Sequence, residues 1–86
     1  LFVDGSYTKI IRDKAKLTGN PSDTLTLLAM GGTAFGITSN GLKWELDGID
    51  LSAGSGLGIS NEFIAHEVEI SVDEGTLLSI QSFDSY

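Results

Sequence analysis

The stretch His66-Glu67-Val68-Glu69-Ile70-Ser71-Val72 sets Val68, Ile70 and Val72 on one face of an extended chain and Glu67, Glu69 and Ser71 on the other. That period of two belongs to a strand with one face in a core and one in water. Working outward, strands are predicted over residues 6–11, 24–30, 34–38, 42–46 and 76–81, and residues 59–64 lead into the strand at 66–72. Turn signals separate them at Asp4-Gly5, Gly31-Gly32, Asn40-Gly41, Asp47-Gly48 and Glu74-Gly75. Residues 13–23, around Gly19-Asn20-Pro21, read as a long polar connection, a mobile hairpin loop. No window of helical length carries an apolar stripe. Short strands of this kind hide their apolar faces by stacking two sheets or closing a barrel. The expected fold is all-β, a small antiparallel β-sandwich or jelly-roll-like domain.

With 86 residues the chain has room for one thin core, so residues 1–86 are expected to form one domain. No apolar run approaches the roughly 20 residues of a membrane-spanning helix, and Leu1-Phe2-Val3-Asp4 has no signal-peptide character. That opening reads like a cut through a longer chain. A formal charge of −7 repels nucleic-acid phosphates and anionic lipid, so neither nucleic acid nor membrane is expected as a partner, and a neutral or cationic ligand fits better. Four of the five cations, Lys9, Arg12, Lys14 and Lys16, fall in one segment and read as a solvated strand end and loop. The absence of cysteine excludes disulfides and thiolate metal sites, and is compatible with a cytoplasmic location.

Most of the tempting chemistry has a plainer reading. Gly54-Ser55-Gly56-Leu57-Gly58 lacks the following helix and the Gly-Lys-Ser/Thr of a phosphate loop, and reads as irregular turn glycines. His66 is the sole histidine, without a second imidazole or thiolate for a metal site. Ser39, Ser52, Ser55 and Ser60 stand in no Gly-x-Ser-x-Gly elbow, and the pairs Asp47 with Asp50 and Asp73 with Glu74 sit at turns. No catalytic residue and no metal ligand is therefore assigned. Trp44 shares a face with Leu42 and Leu46 in the predicted strand, so periodicity points it inward; a lone tryptophan also serves small β-domains as a stacking platform.

The run Thr38-Ser39-Asn40-Gly41-Leu42-Lys43-Trp44-Glu45-Leu46, followed by Gly54-Ser55-Gly56-Leu57-Gly58-Ile59-Ser60-Asn61-Glu62-Phe63, resembles the C-terminal domain of thiamine pyrophosphokinases. Gly75-Thr76-Leu77-Leu78-Ser79-Ile80-Gln81-Ser82 is similar to that domain's closing strand and Asp4-Gly5-Ser6-Tyr7 to its opening turn, so the likeness spans nearly the whole chain. The resemblance implies an enzyme that transfers diphosphate from ATP to the hydroxyl of thiamine, giving thiamine diphosphate and AMP. It implies that Mg2+ and ATP are held by an N-terminal α/β domain that this chain lacks, so the chain alone is expected to be inactive and to bind neither. It also implies a homodimer, with thiamine held between the β-domain of one subunit and the ATP-binding domain of its partner. The residues assigned to thiamine through the resemblance are Trp44, Ser60, Asn61 and Thr38.

Those residue types suit the ligand. Thiamine is flat, aromatic and cationic; an indole can stack on the aminopyrimidine and attract the thiazolium by up to about 2 kcal/mol when desolvated. Ser60 offers a hydroxyl and Asn61 an amide to ring nitrogens and an exocyclic amine. The plainer alternative for Ser60-Asn61 is a turn with a left-handed asparagine. Thr38 either lines the pocket or holds the Trp44 segment. Two competing functions are a non-catalytic sandwich module for carbohydrate or assembly, with Trp44 on a sugar ring, and a structural domain with Trp44 wholly in the core.

Overall fold

A computed structural model of the chain describes residues 2–3, 6–53 and 59–82. Its strands are β1 (Phe2–Val3), β2 (Ser6–Ile11), β3 (Lys14–Thr18), β4 (Thr24–Asn40), β5 (Ile49–Leu51), β6 (Ile59–Glu62), β7 (Glu67–Ser71) and β8 (Glu74–Ser82). All pairings are antiparallel, in the order β1-β2-β8-β4-β7-β3, with β5 and β6 also against β4. The result is a small all-β sandwich, as its sequence periodicity predicts. No described residue belongs to a helix long and apolar enough to cross a membrane.

The fold turns on β4. Its first half, residues 24–30, lies between β8 and β6; its second half pairs with β5 and then, through Thr38↔Ser71 and Ser39↔Ile70, with β7. The sequence suggests two strands parted by a turn at Gly31-Gly32. Instead those glycines, at φ 72° and 146°, form an irregularity within one 17-residue strand, where the register against β8 shifts between Met30 and Phe35. Residues without a Cβ adopt such backbone freely. One strand thereby passes from one sheet to the other.

Alternation then builds the core. Leu25 and Leu27 of β4, Leu77 of β8, Ile11 of β2, and Val68 and Ile70 of β7 all face inward, at 1% exposure or less. Each buried aliphatic side chain contributes roughly 1.5–3 kcal/mol. Residues 66–72 behave as their pattern predicts: β7 shows a strict exposed and buried alternation over 67–70.

The expected mobile loop at 13–23 is corrected. Lys14–Thr18 is a strand, paired with β7 from Lys14↔Ser71 to Thr18↔Glu67, and Ala15 and Leu17 are buried. Its two apolar residues alternate with Lys14, Lys16 and Thr18, so the period is there but overshadowed by charge. Only residues 19–23 turn. Asp23 N–H donates to Asn20 O at 3.0 Å, and Asn20 N–H to the buried Asp23 carboxylate at 2.9 Å. Gln81, also buried, donates to Thr18 O at 3.0 Å and tethers that turn to β8.

Candidate functional site

The segment 41–48 is built by Glu45 and Ser39. Glu45 accepts from Gly41 N–H at 2.8 Å, Leu42 N–H at 3.2 Å and the Ser39 hydroxyl at 2.6 Å. Ser39 in turn accepts from Leu46 N–H at 2.8 Å, and its own N–H donates to Leu46 O at 2.9 Å. Side-chain acceptors that capture backbone N–H groups offer the chain an alternative to a ladder. The segment therefore curls, and the strand expected at 42–46 is replaced by a loop with one bridge, Leu42↔Phe63.

This corrects the predicted direction of Trp44. Leu42 and Leu46 are buried, yet Trp44 between them is 54% exposed. In a curled segment, residues two apart need not share a face. The reading of Trp44 as a wholly buried core residue fails with it. Lys43 stands with its Nζ 4.8 Å from the centre of the indole and 4.0 Å from the Glu62 carboxylate. The exposed ring thus already attracts a cation.

Asn61 holds this loop. The alternative reading of Ser60-Asn61 as a turn is corrected: both lie in β6, registered as Thr26↔Ser60 and Leu25↔Asn61. At 2% exposure Asn61 faces inward, and its Oδ1 accepts from Trp44 N–H at 3.1 Å and Glu62 N–H at 2.9 Å. Its Nδ2 donates to Trp44 O at 2.7 Å. The amide is committed to the Trp44 backbone from both ends. Ser60 faces the opposite side of β6 and is exposed.

Thr38 stands apart from these. It is exposed on β4, accepts from Gly48 N–H at 3.3 Å, and lines a groove of about 170 Å3 with Lys14, Asn40, Glu69 and Ser71. None of Trp44, Ser60 and Asn61 borders that groove. Of the four residues assigned from the sequence, the structure therefore joins Trp44 to Asn61, places Ser60 beside them on β6, and sets Thr38 at the far end of the same loop.

Glu45 and Lys43 were not singled out by the sequence reading. The only signal for Lys43 is its place next to Trp44, and the role of Glu45 depends on a loop that periodicity hides. Partial burial pushes the Glu45 carboxyl up, but the hydrogen bonds from Ser39, Gly41 and Leu42 outweigh it and hold its pKa below the ordinary carboxylate range. The glycine-rich stretch 54–58 lies outside the described residues. His66 is exposed at the start of β7, with Nδ1 3.3 Å from Gly19 O. Among the described residues no three His, Asp or Glu side chains are grouped to hold a metal ion.

Comparison with known proteins gives this geometry its context. No curated protein matches the chain in sequence. Among solved structures it is similar to the thiamin pyrophosphokinase of Geobacillus thermodenitrificans, at 27% identity and TM-score 0.81, covering 93% of this chain and 38% of that one. It is similar in fold to the Bacillus subtilis thiamine pyrophosphokinase, at 23% identity, TM-score 0.80, and 94% and 39% coverage. The yeast enzyme shares the fold at 20% identity, TM-score 0.69, and 91% and 27% coverage. The chain thus spans less than two-fifths of the length of these structures. Residues 9–77 match the family described as thiamin pyrophosphokinase, vitamin B1 binding domain, and the chain belongs to that family.

Proposed function

We propose that this chain is the C-terminal, thiamine-binding part of a thiamin pyrophosphokinase, the enzyme that moves diphosphate from ATP to the thiamine hydroxyl and releases AMP. The observation that carries the reading is Trp44, more than half exposed on a loop whose backbone Asn61 grips at both N–H and C=O. An exposed indole on a mobile loop would lose much of its stacking energy to ordering; here the ordering is done in advance. Its face attracts cations, as Lys43 demonstrates, and the thiazolium is one.

The four residues then divide by role. Trp44 stacks on the ligand and Ser60 hydrogen-bonds to it. Asn61, with its amide committed, acts through Trp44 as a positioning residue, and Thr38 holds the far end of the loop through Gly48. Trp44 is an open platform: it borders neither the groove at Thr38 nor a cleft between β2 and β3. One wall does not enclose a flat ligand. The second wall in this reading is the ATP-binding domain of a partner subunit in a cytoplasmic homodimer, and that domain supplies the residues for Mg2+ and ATP. Diphosphate transfer needs anionic oxygens neutralised from several sides, and this acidic chain contributes the acceptor, not that charge.

Titrating the chain with thiamine while following Trp44 emission tests the assignment, in parallel with Ser60→Ala and with a neutral analogue lacking the thiazolium charge. Saturable quenching that weakens in the variant and with the analogue is the expected result. A Trp44 emission indifferent to thiamine even when the ATP-binding domain is added would overturn it. Quenching by a simple sugar instead would give the carbohydrate module the lead. Asn61→Ala is a poor probe of contact, because it frees the loop that carries the reporter.

A further inference from the structure

Strand β2 is patterned the wrong way round. Its register with β8, Tyr7↔Gln81, Lys9↔Ser79 and Ile11↔Leu77, sets Tyr7, Lys9 and Ile11 on the same face as the buried Leu77, Ser79 and Gln81. Lys9 therefore points between the sheets, while its neighbour Ile10 faces out, 52% exposed. A cation on an inner face, beside an aliphatic residue left in water, breaks the binary pattern that β3 and β7 keep. Such local breaks concentrate where a chain has something to bind.

Lys9 borders a cleft of about 240 Å3 whose other walls are Tyr7, Gln81 and residues Lys16, Leu17 and Thr18 of β3. Among the described residues Lys9 makes no ion pair, whereas Lys16 is shared at 3.9 Å between Glu67 and Glu69. Strand β3 is the edge of its sheet. Gly19 N–H donates to His66 O, so the odd-numbered residues 15, 17 and 19 turn their backbone groups to the β7 side. Thr18 O, bonded to Gln81, points the opposite way, and the N–H groups of Lys16 and Thr18 accompany it toward the cleft. The unpaired Lys9 and the edge N–H groups of β3 line the cleft from two strands, an arrangement that a set of basic residues along one segment does not reveal in sequence. Lys9 has no counter-charge among the described residues, and an anion in the cleft would supply one through charge-assisted hydrogen bonds.

We propose that the cleft between β2 and the free edge of β3 is a second binding site, taking the phosphate or carboxylate group of a small anion. It is independent of the Trp44 reading, since Trp44 does not line this cleft. The test is nuclear magnetic resonance of the 15N-labelled chain, titrated with inorganic phosphate, diphosphate and succinate at constant ionic strength, with chloride as the control. The expected result is saturable shifts of the Lys9, Lys16 and Thr18 amides that leave the Trp44 indole unmoved. Lys9→Met, which keeps the length of the side chain, should weaken binding by about tenfold, as for loss of one charge-assisted contact, and Lys9→Arg should retain it. Preference for phosphate or for succinate assigns the group. Shifts that fail to saturate, that chloride reproduces, or that survive Lys9→Met would overturn the site.

Discussion

At the scale of single residues, the Trp44 loop depends on two side chains, Asn61 and Glu45. Asn61 satisfies the N–H and C=O of Trp44 and the N–H of Glu62 from a buried position. Replacing it with alanine leaves those groups without their partner, and Asn61→Ala is expected to cost about 1–3 kcal/mol in chemical denaturation. The same variant should make Trp44 more accessible to acrylamide. Glu45 gives the loop a pH dependence whose sign follows from its lowered pKa. A carboxyl with a folded pKa below its unfolded one stabilises the fold above the unfolded value and loses that contribution as pH falls through the folded value. Acidification below the ordinary carboxylate range should therefore release the loop and shift Trp44 emission. In Glu45→Gln that acid-side change should be diminished; an identical profile in both proteins would show that the carboxylate does not hold the loop.

Elements explain what sequence could and could not disclose. The strand at 66–72 was legible because it has a clean alternation, with charged residues on the outer face alone. Strand β3 has the same period, but its two core residues are outnumbered by lysines and threonine, so composition speaks louder than pattern. Residues 42–46 mislead in the opposite sense: the alternation of leucines with Trp44 is real, yet Ser39 and Glu45 take the backbone groups a strand would use. Trp44 and Asn61 were legible as residue types of the candidate site, and the link between them was not, because it depends on hydrogen bonds formed across 17 residues of sequence. Glycines of β4 give this scale its own test. At Gly31, φ is 72° and a Cβ would meet nothing within 4 Å, so Gly31→Ala carries only the backbone penalty, about 1–2 kcal/mol. Gly36 has φ 66°, and a Cβ there collides with the Asp73 side chain. Thermal unfolding should rank Gly36→Ala as the more damaging change; equal melting temperatures would mean that Asp73 moves aside freely.

On the scale of the whole molecule, the question is what covers the face that the core does not need. Across the outer side of the sheet formed by β2, β8 and the first half of β4, Ile10 lies opposite Leu78 and Leu78 opposite Leu28, with Met30 one pair further along β4. Ile10 and Met30 are more than two-fifths exposed, and Leu28 and Leu78 are half-buried. Ser60, through its register with Thr26, borders this same surface. A thin sandwich that leaves an aliphatic row in water gains by covering it. In the proposed homodimer this row supplies part of the subunit contact, next to the hydroxyl proposed to bind thiamine. Ile10→Glu places a charge in the row without entering the core, so the fold should survive with its melting temperature nearly unchanged. Sedimentation should then show the wild-type chain associating with rising concentration and the variant remaining monomeric. If both stay monomeric, the row is not where copies of this chain meet.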